Sequence, residues 1–203
     1  MKNSKTIHLS NIIIVILLIS LICPNNLANA KSKCSLHQMQ DVNPPDRDIL
    51  IGADYYPEHW PKERWETDAK LMKEAGFNVV RLAEFAWIWM EPAEGKYEFA
   101  WLDDVLNLLA RYDIHAIICT PTAVMPAWVP RKYPDVMAMK ADGTRVIWGG
   151  RKNNCFSNGT YRLLSERITR EMAEHFADNP TVIGWQTDNE FGGTDCRCNI
   201  CRA

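Results

Sequence analysis

The stretch Val182-Ile183-Gly184-Trp185-Gln186-Thr187-Asp188-Asn189-Glu190 runs from an apolar β-type segment directly into an amide and a carboxylate. Its first five residues have the pattern of a short buried strand, because strands of parallel sheets are apolar runs rather than alternating ones. Barrel enzymes of the (β/α)8 type carry their chemistry at the carboxyl ends of such strands. Asn189 and Glu190 are therefore the first candidates for a functional site.

Three earlier β-type segments alternate with helical ones. The predicted strands are 49–53, 78–82, 115–119 and 182–186, and the predicted helices are 61–75, 101–112 and 160–177. Gly76 is placed to end the first helix, and Asn179-Pro180 breaks the last one. Short apolar strands that alternate with amphipathic helices predict α/β architecture, in which helices cover a parallel sheet.

The loop lengths favour one α/β architecture over another. The loops after the second and third strands are long, whereas the loops that lead into strands are short, as expected of a (β/α)8 TIM barrel. A doubly wound sheet is the rival, but no G-x-G-x-x-G follows the first strand. Because a barrel needs about 250 residues, we predict the amino-terminal half of a TIM barrel, truncated after about strand four.

The first thirty residues have the features of a secretory signal. Lys2 and Lys5 precede a short apolar run, and Ala28-Asn29-Ala30 supplies a cleavage site. Residues 1–30 are therefore predicted to be a signal peptide cleaved after Ala30, with an uncleaved membrane anchor as the alternative. The mature protein is expected to be secreted or periplasmic, with no stable membrane association.

A polar leader and an acidic domain are expected after the signal. Residues 31–47 contain Pro44-Pro45 and are predicted to be flexible, so the domain is assigned to 48–203. Cleavage would remove two lysines and no acids from a net charge of −2, which leaves −4. No basic field remains that would attract a nucleic acid, and no nucleic-acid partner is expected.

Seven cysteines occur, and three of them are closely spaced. Cys196, Cys198 and Cys201 place three thiols within six residues, which suits one tetrahedral zinc better than mutual disulfides. Disulfides are the alternative, because an exported chain meets an oxidising environment. Cys119 lies inside an apolar run and is expected to pack as a small hydrophobic residue.

Polar residues follow every predicted strand: Asp54, Arg81, Glu84, Thr120, Asn189 and Glu190. Binding of a polar substrate would require these residues to converge at one rim of the sheet. A carboxyl group donates a proton well at neutral pH when apolar surroundings disfavour its charged form. Trp185 and Phe191 are expected to provide such surroundings for Glu190. The Asn189 amide could hydrogen-bond a sugar hydroxyl, so glycoside hydrolysis fits this pair.

Three separated motifs carry a specific resemblance. They are Gly52-Ala53-Asp54-Tyr55-Tyr56-Pro57-Glu58-His59-Trp60, Arg81-Leu82-Ala83-Glu84-Phe85-Ala86-Trp87 with Glu91-Pro92, and Trp185-Gln186-Thr187-Asp188-Asn189-Glu190. Together they resemble the amino-terminal half of glycoside hydrolase family 42. These enzymes are β-galactosidases with a (β/α)8 catalytic barrel, and the resemblance runs from about Ile49 to the last residue.

The resemblance implies a retaining β-galactosidase that hydrolyses terminal non-reducing β-D-galactose residues of galactosides or oligosaccharides. Glu190 matches the proton donor, and Asn189 and Arg151 match substrate-binding residues. The family's nucleophile is a second glutamate near the end of strand seven. This chain contains no strand seven, so the fragment alone is expected to be inactive.

The resemblance also implies a structural Zn²⁺ site formed by Cys155, Cys196, Cys198 and Cys201. The residues after Cys155, Phe156-Ser157-Asn158-Gly159, depart from the family's usual Cys-Pro-Asn-Ser type of run, which puts the local loop shape in doubt. Asn158-Gly159-Thr160 is either a glycosylation sequon or a helix-start turn. Family members often form trimers, which suggests a homo-oligomer.

Other functions fit the same residues. A different retaining β-glycosidase, acting on a glucan, mannan or arabinoside, would keep both the barrel and the Asn-Glu pair. A non-catalytic, zinc-bound carbohydrate-binding remnant is a third interpretation, and an incomplete reading frame is a fourth. Trp87, Trp89, Trp128 and Trp148 lie in predicted loops, where they would either stack on a sugar or pack in the core.

Overall fold

A computed structural model describes residues 49–190, 192 and 195–202. The predicted signal peptide at 1–30, the leader at 31–47 and Phe191 lie outside these residues. Four strands form one parallel sheet in the order β1-β2-β3-β4. Their bounds are β1 Gly52–Asp54, β2 Val79–Leu82, β3 His115–Cys119 and β4 Val182–Gln186.

The strand order distinguishes the two α/β architectures. Each strand pairs in parallel with the next along the chain, with Ala53 opposite Val80 and Arg81 opposite Ile117. A doubly wound sheet reverses direction at a switch point, whereas a barrel adds its strands in chain order. The predicted (β/α)8 half barrel is therefore confirmed.

Six helices connect or follow these strands in the described part of the chain. Three are long: α1 Lys62–Glu74, α3 Ala100–Arg111 and α5 Gly159–Phe176. Three are short: α2 Trp87–Met90, α4 Trp128–Lys132 and α6 Asn199–Arg202. Three single 3₁₀ turns occupy Pro57–His59, Pro121–Ala123 and Pro134–Val136. None of the described helices has the length and apolar character to cross a bilayer.

The two faces of the sheet have different neighbours. Val80, Leu82, Ala116 and Ile118 are buried in the core, together with residues of the long helices that include Leu102, Leu106, Leu109, Ile168, Met172 and Phe176. Successive side chains point to opposite faces of a strand, so Arg81 and Ile117 lie on the other face. That second face faces the inside of a barrel, and it carries the polar residues described below.

The first predicted strand was placed too early. Ile49, Leu50 and Ile51 precede β1 and are exposed by 67%, 45% and 52%. The Asn78 side chain holds this segment, since its Oδ1 accepts from the Ile51 N–H at 2.8 Å and its Nδ2 donates to the Ile49 carbonyl at 3.1 Å. Residues 49–51 therefore precede the strand and are held by hydrogen bonds to Asn78, and β1 itself has only three residues.

Candidate active site

Arg81 joins three strands on the inner face of the sheet. Its Nη2 donates to Asp54 Oδ2 at 2.6 Å and to Glu84 Oε2 at 2.9 Å, and its Nη1 donates to Gln186 Oε1 at 2.6 Å. Burial alone would lower the pKa of Arg81, but the hydrogen bond to Asp54 and the charge of Glu84 raise it. The strand-end polar residues therefore converge at one rim.

Glu84 is held inside this network and is only 3% exposed. Besides the bond from Arg81, its Oε2 accepts the Tyr56 hydroxyl at 2.8 Å. Burial, and then the hydrogen bond to Glu84, raise the pKa of Tyr56 to about 12. Because both partners donate to the carboxylate, Glu84 is a fixed structural acceptor of the rim.

The turn after β4 carries Asn189 and Glu190. Asp188 and Glu190 both have left-handed backbone conformations, with φ values of 57° and 45°. Such conformations cost about 1–2 kcal/mol for residues with a Cβ and cluster at functional sites. Asn189 is buried at 7% exposure, and its Oδ1 lies 3.4 Å from Gln186 Nε2. The turn thus orients the amide inward.

Glu190 projects from this turn toward Arg151. The two side chains form an ion pair of 3.2 Å between Arg151 Nη1 and Glu190 Oε2. The Arg151 guanidinium also lies over the Phe85 ring, 5.5 Å from its centroid. All three residues proposed for catalysis or substrate binding therefore lie near the carboxyl end of β4.

The apolar surroundings expected for Glu190 are not found among the described residues. The Glu190 side chain is 70% exposed. Trp185, which was expected to shield it, lies within β4 and is itself 39% exposed. Trp185 pairs with Ile118 of β3, on the face of the sheet that packs against the core, and a turn with left-handed residues separates it from Glu190.

The structure brings together the four cysteines selected from the sequence. Their Sγ atoms all lie within 4.8 Å of one another. Cys155 Sγ is 3.6 Å from Cys198 Sγ and 3.5 Å from Cys201 Sγ. A disulfide would require about 2.05 Å, whereas sulfurs bound tetrahedrally to one zinc are about 3.8 Å apart. The cluster could therefore hold a metal ion.

The pKa values of two of these thiols are shifted in opposite directions. Burial raises the pKa of Cys155, and hydrogen bonds with the neighbouring thiols raise it further. The pKa of Cys198 is lowered to about 7, because the Cys201 backbone and the neighbouring thiols hydrogen-bond to its sulfur. Four thiols at this spacing can all be thiolates only if a cation neutralises them.

Two of the four candidate sugar-stacking tryptophans are structural. Trp87 is fully buried, and its Nε1 donates to Glu91 Oε2 at 2.8 Å. Trp128 donates from Nε1 to the Glu91 carbonyl at 2.9 Å. Trp89 and Trp148 are exposed by 52% and 43%. Of the four rings, those of Trp89 and Trp148 are exposed, Trp128 is partly buried and Trp87 is buried.

Lys152 and Asp188 were missed by the sequence analysis. Lys152 is buried, pairs with Asp188 at 3.2 Å and donates a hydrogen bond to the Glu190 carbonyl. Nothing in the sequence around Lys152 distinguishes it from a solvent-exposed lysine in a loop. Asp188 could have been selected, because it lies within the motif that follows the fourth strand.

A parallel sheet built in chain order, with an amide and a carboxylate beyond its fourth strand, defines an α/β barrel of the glycoside hydrolase class. The family model described as Beta-galactosidase matches residues 54–203. The chain belongs to glycoside hydrolase family 42.

Similar proteins agree in sequence and in structure. The chain is 47% identical over 156 residues to the β-galactosidase BgaH of Haloferax lucentense, covering 75% of this chain and 24% of that protein. It is 47% identical over 153 residues to BgaA of Clostridium cellulovorans, covering 75% and 23%. The solved β-galactosidase of Halorubrum lacusprofundi has a TM-score of 0.72 at 42% identity and again covers 75% and 23%. The chain thus spans about a quarter of the length of these relatives.

Proposed function

We propose that this chain is the acid/base part of a retaining β-galactosidase that releases terminal non-reducing β-D-galactose. The observation that carries the proposal is the placement of Asn189 and Glu190 beyond β4, with Arg151 3.2 Å from the Glu190 carboxylate. The β-galactosidase names of the relatives favour galactose over glucose, mannose or arabinose as the sugar.

In this proposal Glu190 transfers a proton twice. It first protonates the glycosidic oxygen while a second carboxylate attacks the anomeric carbon, which breaks the bond to the leaving group and forms a galactosyl-enzyme ester. Glu190, now a carboxylate, then takes a proton from water as that water attacks the ester. The resemblance assigns the nucleophile to the end of strand seven, outside residues 49–202.

Asn189 and Arg151 are proposed to bind the galactose. Asn189 is buried and fixed in direction, which suits a hydrogen bond to a hydroxyl next to the reacting carbon. Arg151 is 53% exposed and stacked on Phe85, so a sugar hydroxyl can reach its guanidinium from solvent. Substrate binding would cover both this arginine and Glu190.

Cys155, Cys196, Cys198 and Cys201 are proposed to bind one Zn²⁺. A four-sulfur site has no open position, so the ion would stabilise structure and would not activate water. Its ligands come from the loop before α5 and from the segment after Glu190. The cluster would therefore tie the loop that carries Arg151 to the segment that follows the acid/base.

We propose the export and the oligomeric state of the enzyme from its sequence. A signal peptide at 1–30 and a leader at 31–47 would deliver a catalytic domain beginning at residue 48 to the periplasm or the exterior. A homo-oligomer, by resemblance a trimer, is proposed for the assembled protein. The residue patterns at 1–47 support the signal and the leader, and the resemblance to the family supports the oligomer.

The acid role of Glu190 can be tested in the full-length polypeptide that contains this chain. Glu190→Gln should lower kcat/KM for a phenyl β-galactoside by about 10²–10⁴-fold, because this leaving group needs a proton. Hydrolysis of a dinitrophenyl β-galactoside should lose much less in its first step, and added azide should restore turnover as galactosyl azide.

Glu166→Gln is the matched control, since Glu166 is an exposed glutamate of α5. It should leave both rates unchanged. Equal losses for the two substrates in the Glu190 variant, without azide rescue, would reject Glu190 as the acid. Faster hydrolysis of a β-glucoside, β-mannoside or arabinoside by the wild-type protein would reject galactose as the preferred sugar.

A further inference from the structure

We propose that Lys152 is a positioning residue that holds the acid/base Glu190 in its working orientation through Asp188 and the Glu190 carbonyl. This inference rests on the proposed function, because it assigns Lys152 to the same proton transfer. It differs from the role proposed for Arg151, which contacts the carboxylate itself.

Lys152 is fixed at both ends. The residue is 8% exposed, and its backbone N–H donates to the Ala123 carbonyl at 2.9 Å. Its φ of 55° lies in the left-handed region, a conformation that a lysine adopts only when its surroundings impose it. The main chain at this position is therefore anchored to the turn after β3, and the side chain points beneath the β4 turn.

The ammonium group pairs with Asp188, and both partners are largely buried. Lys152 Nζ lies 3.2 Å from Asp188 Oδ1, with side-chain exposures of 10% and 14%. Asp188 is itself held by the Thr122 hydroxyl at 2.6 Å, and its backbone N–H donates to Thr120 Oγ1 at 2.7 Å. Thr120 and Thr122 thus hold the β4 turn against the end of β3, and the ion pair joins Lys152 to the same turn.

The same ammonium donates a hydrogen bond to the backbone carbonyl of Glu190. Glu190 has a left-handed φ and an exposed side chain, so packing of its side chain does little to hold the residue. A lysine offers three donors and no acceptor, which lets one buried group serve both the Asp188 carboxylate and the Glu190 carbonyl. Lys152 therefore positions the exposed Glu190 through its backbone carbonyl and not through its side chain.

Such positioning bears directly on proton transfer. A general acid must reach the leaving oxygen at hydrogen-bond distance, and a displacement of about 1 Å can cost 10²-fold in rate. Loss of the Lys152 ammonium would free the carbonyl and the strained turn, so the Glu190 carboxyl would sample more orientations. Attack on the anomeric carbon would be affected less than proton donation.

The leaving group separates these two steps experimentally. In the full-length polypeptide, Lys152→Met should lower kcat/KM for a phenyl β-galactoside by about 100-fold. For a dinitrophenyl β-galactoside, which departs without a proton, the loss should be less than roughly fivefold. A general loss of folded protein would lower both rates equally and leave their ratio unchanged.

Two further variants keep the test valid if Lys152→Met folds poorly. The double variant Lys152→Met/Asp188→Asn removes the carboxylate that would be left buried without its partner, so it should unfold near the wild-type temperature. In the double variant, as in Lys152→Met, kcat/KM for the dinitrophenyl galactoside divided by kcat/KM for the phenyl galactoside should be higher than in the wild type. Lys152→Arg retains a cation and should restore most of the phenyl activity.

Lys70→Met is the matched control, because Lys70 is an exposed α1 lysine paired with Glu74 at 3.8 Å. It should leave both rates and their ratio unchanged. A wild-type ratio in the folded double variant would overturn the role of Lys152 while leaving the proposed function intact. A wild-type full-length protein that hydrolyses neither galactoside would overturn both.

Discussion

Arg151 and Glu190 form a close ion pair, 3.2 Å between Nη1 and Oε2, although both side chains are more than half exposed. Exposed ion pairs contribute only about 0–1 kcal/mol to stability. The arrangement therefore does little to stabilise the fold. The pair places a cation and an acid at the carboxyl end of β4, beside the turn that carries the buried Asn189 amide.

Replacement of Arg151 should affect binding rather than folding. In the full-length enzyme, Arg151→Ala is expected to raise KM for a β-galactoside by about tenfold or more, because a charged hydrogen bond contributes about 1.5–3 kcal/mol. The melting temperature should stay within about 1 °C, since a surface pair is lost. Steady-state kinetics and thermal unfolding check the two expectations.

The control for this variant is Arg111→Ala. Arg111 is 61% exposed and pairs with Glu66 of α1, so it is a surface arginine of similar exposure on α3. It should change neither KM nor melting temperature. An Arg151→Ala enzyme with a wild-type KM would remove Arg151 from the proposed binding site.

Metal binding can be measured directly. Elemental analysis of the purified protein should find about one zinc per chain, and Cys198→Ser should abolish it, because loss of one of four ligands opens the site. Chelation should lower the melting temperature of the wild type by several degrees or more, as expected when a bound metal stabilises the folded state.

Cys119→Ala provides the contrast. Cys119 is fully buried in β3, and burial raises its pKa to about 12 although the charge of Arg81 lowers it, so it remains a protonated thiol. This variant should lose some stability but keep its zinc. Full metal content in Cys198→Ser, or disulfides among the four cysteines on mass analysis, would reject the zinc site.

The sequence predicted the fold well where the pattern was long. β3 and β4 occur at the predicted residues, and α1, α3 and α5 begin and end within one residue of their predicted bounds. The short helices α2 and α4 were not predicted, because four or five residues are too few to show a helical period. Trp87 and Trp128 were consequently assigned to loops, although α2 and α4 hold them against Glu91.

The site was predictable only in part, for a related reason. Residue types and spacing identified the Asn189-Glu190 pair and the four cysteines, because those patterns are unusual. The exposure of Glu190 and the burial of Lys152 depend on which loops pack together, and that packing joins residues far apart in the chain. Composition cannot distinguish a buried loop lysine from a solvated one.

The start of the barrel depends on a close approach between β1 and β2. A Cβ added at Gly52 would lie 1.7 Å from the Val79 carbonyl oxygen, so the backbone would have to move. Gly52→Ala should therefore lower the free energy of unfolding by about 2 kcal/mol or more, measured by urea denaturation.

Gly184→Ala is the matched strand control. An added Cβ there meets Ile117 Cγ1 at 3.8 Å, an ordinary contact. Alanine also limits the unfolded chain more than glycine does, so this variant should be neutral or stabilised by up to about 1 kcal/mol. If both substitutions lowered the free energy of unfolding equally, the close β1–β2 contact would not be the cause of the destabilisation.

Asn158 is the N-cap residue of α5 and also hydrogen-bonds to the preceding loop. Its Oδ1 accepts the Tyr161 N–H at 2.9 Å, and its Nδ2 donates to the Asp135 carbonyl and carboxylate at 3.2 and 3.1 Å. The residue is 6% exposed, so the Asn158-Gly159-Thr160 sequence is a helix-start turn in the folded protein.

Asn158→Ala should destabilise the protein by about 2 kcal/mol, because it removes the helix cap and leaves the buried Tyr161 N–H without its acceptor. Asn107→Ala, at an exposed position of α3, should change the free energy of unfolding by less than about 0.5 kcal/mol. Urea denaturation of both variants decides the comparison. A small effect at Asn158 would show that α5 is held by its apolar face alone. The departure from the family's usual run after Cys155 would then have no bearing on how this helix begins.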